Sequence, residues 1–320
     1  MNDTKKRILI AIDGSVQSYN GASYISEMMP PAETAVVLYH VQADFKDLYF
    51  DMEEKPHDVT MDEAAYQEWG SVRRKTMMTR LEKIRAMFLE KGFGEDAIDI
   101  VSREMEIGVT RDIIKESQRG YDLLVVGKTG ARSVTGVMTG SVTGKLISRV
   151  NHLPMVVVEG RPETDHILIG FDGSKGSIAA VQAVHYLVGP DKTYSMANVI
   201  RSLNLLTGEF DMFASSMDEF RFPDIDTRRV ENQKKSIQKH MTQEKGRLLS
   251  LGVPESQVHT FILEGYASRS QALVEKARKE GYGTLVLGRR GHSAVMEFFM
   301  GRVGRKVIHM SDTLAVWIVN

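Results

Sequence analysis

Residues 8–15 read ILIAIDGS, and residues 167–174 read ILIGFDGS. Each stretch is a short apolar run that ends in Asp-Gly-Ser, and the second begins 159 residues after the first. An apolar run closed by such residues predicts a buried β-strand that ends in a tight turn. The return of the whole pattern indicates that the chain contains the same structural unit twice.

Two later pairs of segments support this repeat. YDLLVVGKTG begins at Tyr121 and returns as YGTLVLGRRG at Tyr282, while GSVTGKLI begins at Gly140 and returns as GRVGRKVI at Gly301. Both pairs are offset by 161 residues, and distant anchors keep a nearly constant offset when a gene has been duplicated. The length of 320 residues also suits two domains. We expect a first domain at residues 1–160 and a second at 165–320, with GRPETD at the boundary.

Strand and helix signals alternate within each half. The strands predicted for the first half are RILIAI, TAVVLYHV, AIDIVSRE, DLLVVG and PMVVVE. These runs are mostly unbroken apolar sequence, as in parallel strands that helices cover on both faces. The predicted fold is therefore α/β, with a five-stranded parallel, Rossmann-like sheet in each half.

An apolar stripe at helical spacing marks one helix of each half. The stripe consists of Met77, Leu81, Ile84 and Phe88 in the first half and, more weakly, of Ile237, Met241 and Leu248 in the second. The connections near residues 44–60 and 202–224, after the second strand of each half, are long for a compact unit. They are interpreted as binding loops, interaction surfaces or insertions without a role, and we assign them no chemistry.

Composition and charge exclude several classes of function. The 41 basic and 42 acidic residues leave a formal net charge of -1, so no overall field attracts nucleic acid or an anionic membrane. The chain has no cysteine, which excludes disulfides, thiolate metal sites and cysteine nucleophiles and suits a reducing compartment. The first apolar run is too short for a signal peptide or a membrane span. We expect a cytoplasmic protein without a nucleic-acid or membrane partner.

Hydrolytic and adenylyl-transfer motifs are missing from the sequence. The nine histidines form no HxH, HxxxH or HExxH cluster, and no G-x-S-x-G sequence occurs, which argues against a metal hydrolase or a serine hydrolase. No HxGH-type sequence follows the first strand, which disfavours adenylyl transfer. We assign no catalytic residue.

A glycine-rich pattern follows the fourth predicted strand. It consists of Gly127, Gly130, Gly140 and Ser141, in the spacing G-x2-G-x9-G-S. Glycine lets the backbone approach a ligand closely, and successive N–H groups at a loop and helix start can surround phosphate oxygens. The Ser141 hydroxyl would add a donor. The alternative interpretation is that the glycines only form turns and that Ser141 caps its own helix.

Two positions at the ends of the first two strands accompany this pattern. Asp13 ends the first strand at the same edge of the predicted sheet, where its carboxylate would reach a ribose, an adenine amino group or a cation bound to phosphate. Val41 ends the second strand and offers apolar surface and backbone groups to an adenine ring. The alternative roles are helix capping for Asp13, shared with Ser15, and an ordinary core position for Val41.

These motifs resemble those of the universal stress protein family, and the resemblance extends over nearly the whole chain as two domains in tandem. It rests on Asp13-Gly14-Ser15, on the strand DLLVVG and on the complete glycine-serine spacing that marks the ATP-binding branch of the family. The resemblance implies a fold like that of the adenine nucleotide alpha hydrolases. It also implies binding of ATP, ADP or AMP, with Mg²⁺ or Mn²⁺ accompanying the phosphates.

The resemblance also implies which residues contact the nucleotide. The adenine and ribose positions are Ala11, Ile12, Asp13, Ser15 and Val41, and the phosphate positions are Gly127, Thr129, Gly130, Gly140, Ser141, Val142 and Thr143. The implied role is regulatory, with at most slow ATP hydrolysis or autophosphorylation, because no general base or nucleophile is evident. The alternative is an interaction module on the same fold that binds no nucleotide.

The second copy departs from the family pattern at one critical position. It keeps counterparts of the strand ends and of the three glycines, namely Asp172, Val199, Gly288, Gly291 and Gly301, but Arg302 replaces the serine. An arginine in this place either holds phosphate through charge-assisted hydrogen bonds or fills the pocket with its bulk. The sequence is compatible with both interpretations.

The last strand of each copy is predicted to mediate pairing between the copies. Residues 154–159 read PMVVVE and residues 314–319 read LAVWIV, 160 residues later and close to the offsets of the other repeated segments. A terminal apolar strand leaves an open sheet edge unless another strand covers it, and members of the family pair these strands across dimers. We therefore expect an intramolecular pseudo-dimer, with further homo-oligomers left open.

Overall fold

The computed structural model describes residues 5–42, 63–129, 141–201, 224–291 and 301–320. The chain divides into two compact units, Met1–Arg161 and Pro162–Asn320. The predicted long connections at 44–60 and 202–224 lie outside the described residues, except for Asp224 at the start of a helix. None of the described helices has the length and apolar character needed to cross a membrane.

The first unit contains five parallel strands in the order β3-β2-β1-β4-β5. They are β1 (Lys6–Ala11), β2 (Thr34–Gln42), β3 (Ile98–Glu104), β4 (Leu123–Gly127) and β5 (Met155–Val158). The helices are α1 (Val16–Met28), α2 (Glu63–Glu90), α3 (Val109–Ser117) and α4 (Ser141–Arg149). Short 3₁₀ turns at Pro31–Glu33 and Glu95–Ala97 precede β2 and β3.

The second unit repeats this arrangement with strands in the order β8-β7-β6-β9-β10. They are β6 (His166–Gly170), β7 (Thr193–Arg201), β8 (Val258–Tyr266), β9 (Thr284–Gly288) and β10 (Ala315–Val319). The helices are α5 (Lys175–Val188), α6 (Asp224–Ser250), α7 (Arg269–Glu280) and α8 (Arg302–Met310), with a 3₁₀ turn at Glu255–Gln257 before β8.

The cores follow the predicted hydrophobic pattern. Every residue of β5 and of β10 is buried, as expected for strands in the interior of an α/β fold. The apolar stripes of the two long helices α2 and α6 are buried as well. The predicted α/β class, the parallel sheets and the tandem repeat are confirmed.

The strand orders place a crevice in each unit. In the first unit the chain moves outward from β1 to β2 and β3 and then returns to the other side of β1 with β4. Such a reversal separates the loops that follow β1 and β4, and ligands of open α/β sheets bind at this point beyond the carboxyl ends of the strands. The corresponding pair in the second unit is β6 and β9.

Candidate functional site

The turn after β1 forms one side of the crevice in the first unit. Asp13 is exposed, and its Oδ1 accepts hydrogen bonds from the Ser15 backbone N–H at 2.9 Å and from the Ser15 hydroxyl at 2.5 Å. Gly14 between them has φ +81°, a conformation that glycine adopts without strain. The Ser15 hydroxyl oxygen in turn accepts from Ser18 N–H at 3.1 Å, which caps α1. The Asp-Gly-Ser sequence thus fixes both the turn and the helix start.

The end of β4 forms the other side, in close contact with the first turn of α1. A Cβ atom added to Gly127 would lie 2.9 Å from Gln17 Cβ and 3.1 Å from Ser18 N, so this position requires glycine. The Thr143 hydroxyl donates to the Gly127 carbonyl at 2.7 Å, which ties the first turn of α4 to the same strand end. Three elements that carry predicted site residues therefore meet at the carboxyl edge of the sheet.

The long helix α2 lies over the turn between β1 and α1. The Arg80 guanidinium donates to the Gly14 carbonyl at 3.0 Å, and a Cβ atom on Gly14 would lie 2.7 Å from the same group. Arg73, about two helical turns earlier on α2, is close enough to lower the pKa of His40. One cationic side chain of α2 thus contacts the turn that carries Asp13, and a second lies near His40.

A buried side chain links the ends of the first two strands in each unit, β1 and β2 in the first and β6 and β7 in the second. His40 Nδ1 donates to the Ile12 carbonyl at 2.7 Å, and in the second unit Asn198 Nδ2 donates to the Phe171 carbonyl at 2.7 Å. A carbonyl only accepts, so Nδ1 of His40 carries the proton. The pair precedes Val41 and Val199, which are both buried. The two strand ends next to the predicted adenine positions are therefore fixed by hydrogen bonds.

The environment of His40 makes the first unit sensitive to pH. Burial holds the pKa of His40 below its ordinary value of 6.5, with a smaller lowering by Arg73 that the Ile12 hydrogen bond and Asp13 oppose. Because the folded pKa is below the unfolded one, the unfolded chain binds more protons and stability falls as the pH drops below 6.5. We expect His40→Asn, which copies the second unit, to remove this loss.

The measurement is urea unfolding of the wild type and of the His40→Asn variant between pH 8 and pH 5. The difference in unfolding free energy between them should be constant above the ordinary His40 pKa of 6.5 and should shift in favour of the variant below it. A difference that stays constant through the whole range would contradict the burial of a neutral imidazole.

The second crevice has the same frame as the first. Asp172 Oδ1 accepts from Ser174 N–H at 3.0 Å, and the Ser174 hydroxyl oxygen accepts from Ser177 N–H at 3.2 Å, which caps α5. Gly173 between them has φ +74°. A Cβ atom on Gly288 would lie 2.5 Å from the carbonyl carbon of Gly176, so β9 and the start of α5 touch through backbone alone.

The first residues after β9 lie beside the Asp172 carboxylate. A Cβ atom on Gly291 would lie 2.6 Å from Asp172 Oδ2, so the second predicted glycine lies directly against the first-strand carboxylate. Gly301 N–H donates to the Arg289 carbonyl at 3.1 Å, which joins the far end of the loop to its start. Arg302 is the first residue of α8, and its side chain is exposed.

The remaining predicted site residues fall into three groups. Gly130 and Gly140 lie outside the described residues, and Ser141 is described only as the first residue of α4. Ala11, Thr129 and Val142 are half-buried at the edge of the crevice. Ile12 donates its N–H to the Tyr39 carbonyl at 2.8 Å, and its side chain is buried in the core.

The donor set decides which kind of cation the first crevice fits. The described residues contain no group of three or more His, Asp or Glu side chains that could hold a metal ion. Mg²⁺ bound with a nucleotide takes most ligands from phosphates and water and one or two from carboxylates. The exposed carboxylate of Asp13 suits a cation of this kind, carried in by phosphates.

Sequence reasoning missed several residues around both crevices. His40 precedes Val41 in the sequence and Asn198 precedes Val199, but no motif marks either residue. Arg80 had no signal in the sequence, because its contact depends on how the long helix α2 crosses the turn. Lys175 and Arg290 were visible as charges beside the motifs, but only the fold brings them together.

Comparison with known proteins identifies the family. A model described as the universal stress protein family matches residues 5–159 and again residues 163–320. A search among curated proteins found no match.

Solved structures agree in fold over the whole chain. A universal stress protein from Archaeoglobus fulgidus has 16% sequence identity and a TM-score of 0.61, with 100% of this chain and 99% of that chain covered. A functionally unknown protein from Pseudomonas aeruginosa has 13% identity and a TM-score of 0.52, with 99% and 93% covered. A universal stress protein in complex with cAMP covers 49% of this chain at 18% identity, and its TM-score of 0.32 supports no inference about ligands here.

The two matches to the family model together span nearly all 320 residues. The repeat, the parallel sheets and the paired crevices are those of two copies of one domain. The chain therefore belongs to the universal stress protein family, as a tandem two-domain member.

Proposed function

We propose that this stress-response protein is a nucleotide-binding regulator whose first copy binds ATP in the crevice between β1 and β4. One observation carries the proposal: the Asp13 turn, the end of β4 at Gly127 and the first turn of α4 meet at the switch point of the sheet. This is where open α/β sheets bind ligands. The complete glycine-serine spacing of the first copy supports the choice of ligand.

In this proposal each side of the crevice has its own task. The adenine ring packs against the buried Val41. The hydrogen bond between His40 and Ile12 holds the two strand ends beside it in a fixed position. The exposed Asp13 carboxylate binds the ribose or a cation on the phosphates. The phosphates lie over the start of α4, where backbone N–H groups and the helix dipole favour negative charge.

The Thr143 hydroxyl has a positioning role in this arrangement. Its proton is donated to the Gly127 carbonyl, and the side chain is buried. It therefore fixes the angle between α4 and β4, while its backbone N–H remains in the first turn of the helix. The contact with phosphate that the family resemblance implies for Thr143 is proposed to come from the backbone.

We propose at most slow hydrolysis or autophosphorylation. The Asp13 carboxylate is engaged by the Ser15 hydroxyl and N–H through one oxygen, so it is held as an orienting group. A general base must reach the attacking water within hydrogen-bond distance, and the sequence motifs for such a base are missing. The adenine nucleotide is then a signal or a stabilising ligand.

The test is titration of the full chain with ATP and Mg²⁺, comparing Asp13→Ala with Asp172→Ala. Loss of one charge-assisted hydrogen bond corresponds to about 1.4 kcal/mol or more, or roughly a tenfold weaker Kd. We expect Asp13→Ala to weaken the tightest site by this factor and Asp172→Ala to leave it unchanged. The opposite order, or equal effects, would show that the main site is not in the first copy.

We also propose that the two copies pair through their last strands, at residues 154–159 and 314–319. Both strands are short, apolar and fully buried along β5 and β10, and an uncovered terminal strand exposes unpaired N–H and C=O groups. An experimental structure in which these strands form no hydrogen bonds with each other would contradict the pairing.

A further inference from the structure

Exposed basic residues lie at three positions around the second crevice. Lys175 begins α5, Arg290 lies in the loop after β9, and Arg302 begins α8, and all three side chains are exposed. The repeat places Val16, Thr129 and Ser141 at these positions in the first copy. The second crevice therefore has cations at three positions where the first copy has neutral residues.

Backbone contacts bring together the three segments that carry these cations. A Cβ atom on Gly176 would overlap the Arg290 carbonyl oxygen, so the residue after Lys175 touches Arg290 directly. The Arg289 carbonyl accepts from Gly301 N–H at 3.1 Å, which places the residue before Arg302 beside the same loop. Lys175 and Arg302 are both in the first turn of a helix, where the partial positive charge of the helix dipole adds to their own.

Further basic residues lie on the exposed face of α8, after its first residue. Arg305 and Lys306 are three and four residues after Arg302, and both are exposed, whereas Val307 and Ile308 are buried. Residues three and four apart share a helix face. In the first copy, the positions of Arg305 and Lys306 are occupied by Gly144 and Lys145.

The second copy also has more basic residues over the whole segment from the end of its fourth strand to the first turn of its last helix. Residues 127–145 contain three basic residues and no acidic one, while residues 288–306 contain five basic residues and one acidic one. Lys175, opposite Val16, adds a further positive charge to the second copy.

The carboxylate of the second crevice is less available to a cation than that of the first. Asp13 is exposed, whereas Asp172 is half-buried. Ser174 N–H occupies Oδ1 of Asp172, and the Gly291 backbone lies against Oδ2. The second crevice thus combines three cations, at positions that are neutral in the first copy, with a half-buried carboxylate. Mg²⁺ in a nucleotide site needs a carboxylate with room for the ion.

We propose that the second copy binds the phosphate chain of an adenine nucleotide in its metal-free form, with Lys175, Arg290 and Arg302 in the place of the divalent cation. The inference rests on the proposed function, because it takes the ligand class from the first copy. Arginine is suited to this task, because its guanidinium forms paired hydrogen bonds with phosphate oxygens and stays charged. The exposed side chain of Arg302 is compatible with a ligand role and does not fill the crevice.

The experiment is calorimetric titration of the full chain with ATP, once with Mg²⁺ and once with excess EDTA. In EDTA we expect one binding site to remain, and we expect Arg302→Ser or Arg290→Ala to weaken it at least tenfold. In Mg²⁺ the first site should be unaffected by either change. Lys279→Ala removes one charge from the end of α7, at the opposite edge of the sheet, and should leave both sites unchanged.

Each other outcome overturns the inference. If EDTA abolishes all binding while Mg²⁺ supports one site, the first copy works as proposed and the second does not bind metal-free nucleotide. If Arg302→Ser tightens binding in EDTA, the arginine obstructs the site. If no nucleotide binds under either condition, the proposed function fails together with the inference. Circular dichroism of both variants checks that a loss of binding does not come from unfolding.

Discussion

Replacing Gly288 by alanine is expected to lower the unfolding free energy of the second unit by about 3 kcal/mol. The new Cβ atom would lie 2.5 Å from the carbonyl carbon of Gly176, 2.6 Å from its oxygen and 2.9 Å from Ser177 N. All three atoms are backbone, so no side chain can rotate away. The first turn of α5 and the end of β9 would have to separate, which disturbs the whole crevice.

The change is measured by urea unfolding, with the fluorescence of Trp317 as the signal. This side chain is fully buried in β10, which pairs with β9, and Trp69→Phe removes the other tryptophan of the chain. The matched control is Gly246→Ala on α6, where the new Cβ atom meets nothing within 4 Å. Alanine in a helix should add roughly 0.5–1 kcal/mol of stability there. Equal effects of the two substitutions would contradict the close backbone contact.

Replacing Gly130 by valine is expected to abolish ATP binding by the first copy, with a Kd at least about a hundredfold higher, equivalent to roughly 2.7 kcal/mol. Gly130 itself lies outside the described residues, but its counterpart in the repeat is Gly291. A Cβ atom there would lie 2.6 Å from Asp172 Oδ2. Valine would add a branched side chain at a position that the proposed function assigns to the phosphates.

The control for this prediction is Gly144→Ala, which adds a methyl group to the exposed side of α4. No heavy atom lies within 4 Å of the new Cβ atom, so ATP affinity and folding should both be kept. Titration with ATP and Mg²⁺ measures both variants. Unchanged affinity in a folded Gly130→Val variant would mean that the phosphates do not lie over this loop.

The fold could be predicted from the sequence because its signals are local or repeated. The strand ILIAIDGS and its copy fix two sheets, and their Asp-Gly-Ser endings produce the same turn and the same helix cap in both units. The stripe of Met77, Leu81, Ile84 and Phe88 is buried as its spacing predicts. These features depend on residues that are near each other in the chain, where hydrophobic period and turn chemistry decide the structure.

The candidate site could be predicted only in part, because many of its contacts join residues that are far apart in the sequence. Two hydrogen bonds depend on how strands and helices pack: that of His40 with Ile12 and that of Arg80 with Gly14. The cluster of Lys175, Arg290 and Arg302 comes from three segments that meet only in the folded unit. In the sequence these residues look like ordinary surface charges.

The most direct test of ATP binding by the first copy is native mass spectrometry of the full chain in the presence of ATP and Mg²⁺. The method counts nucleotides bound to each chain and also detects any that remain from purification. We predict a complex that contains ATP for the wild type and its loss at the first site in the Gly130→Val variant. A chain that binds no adenine nucleotide at millimolar ATP, or a Gly130→Val variant that binds as much as the wild type, would contradict the account.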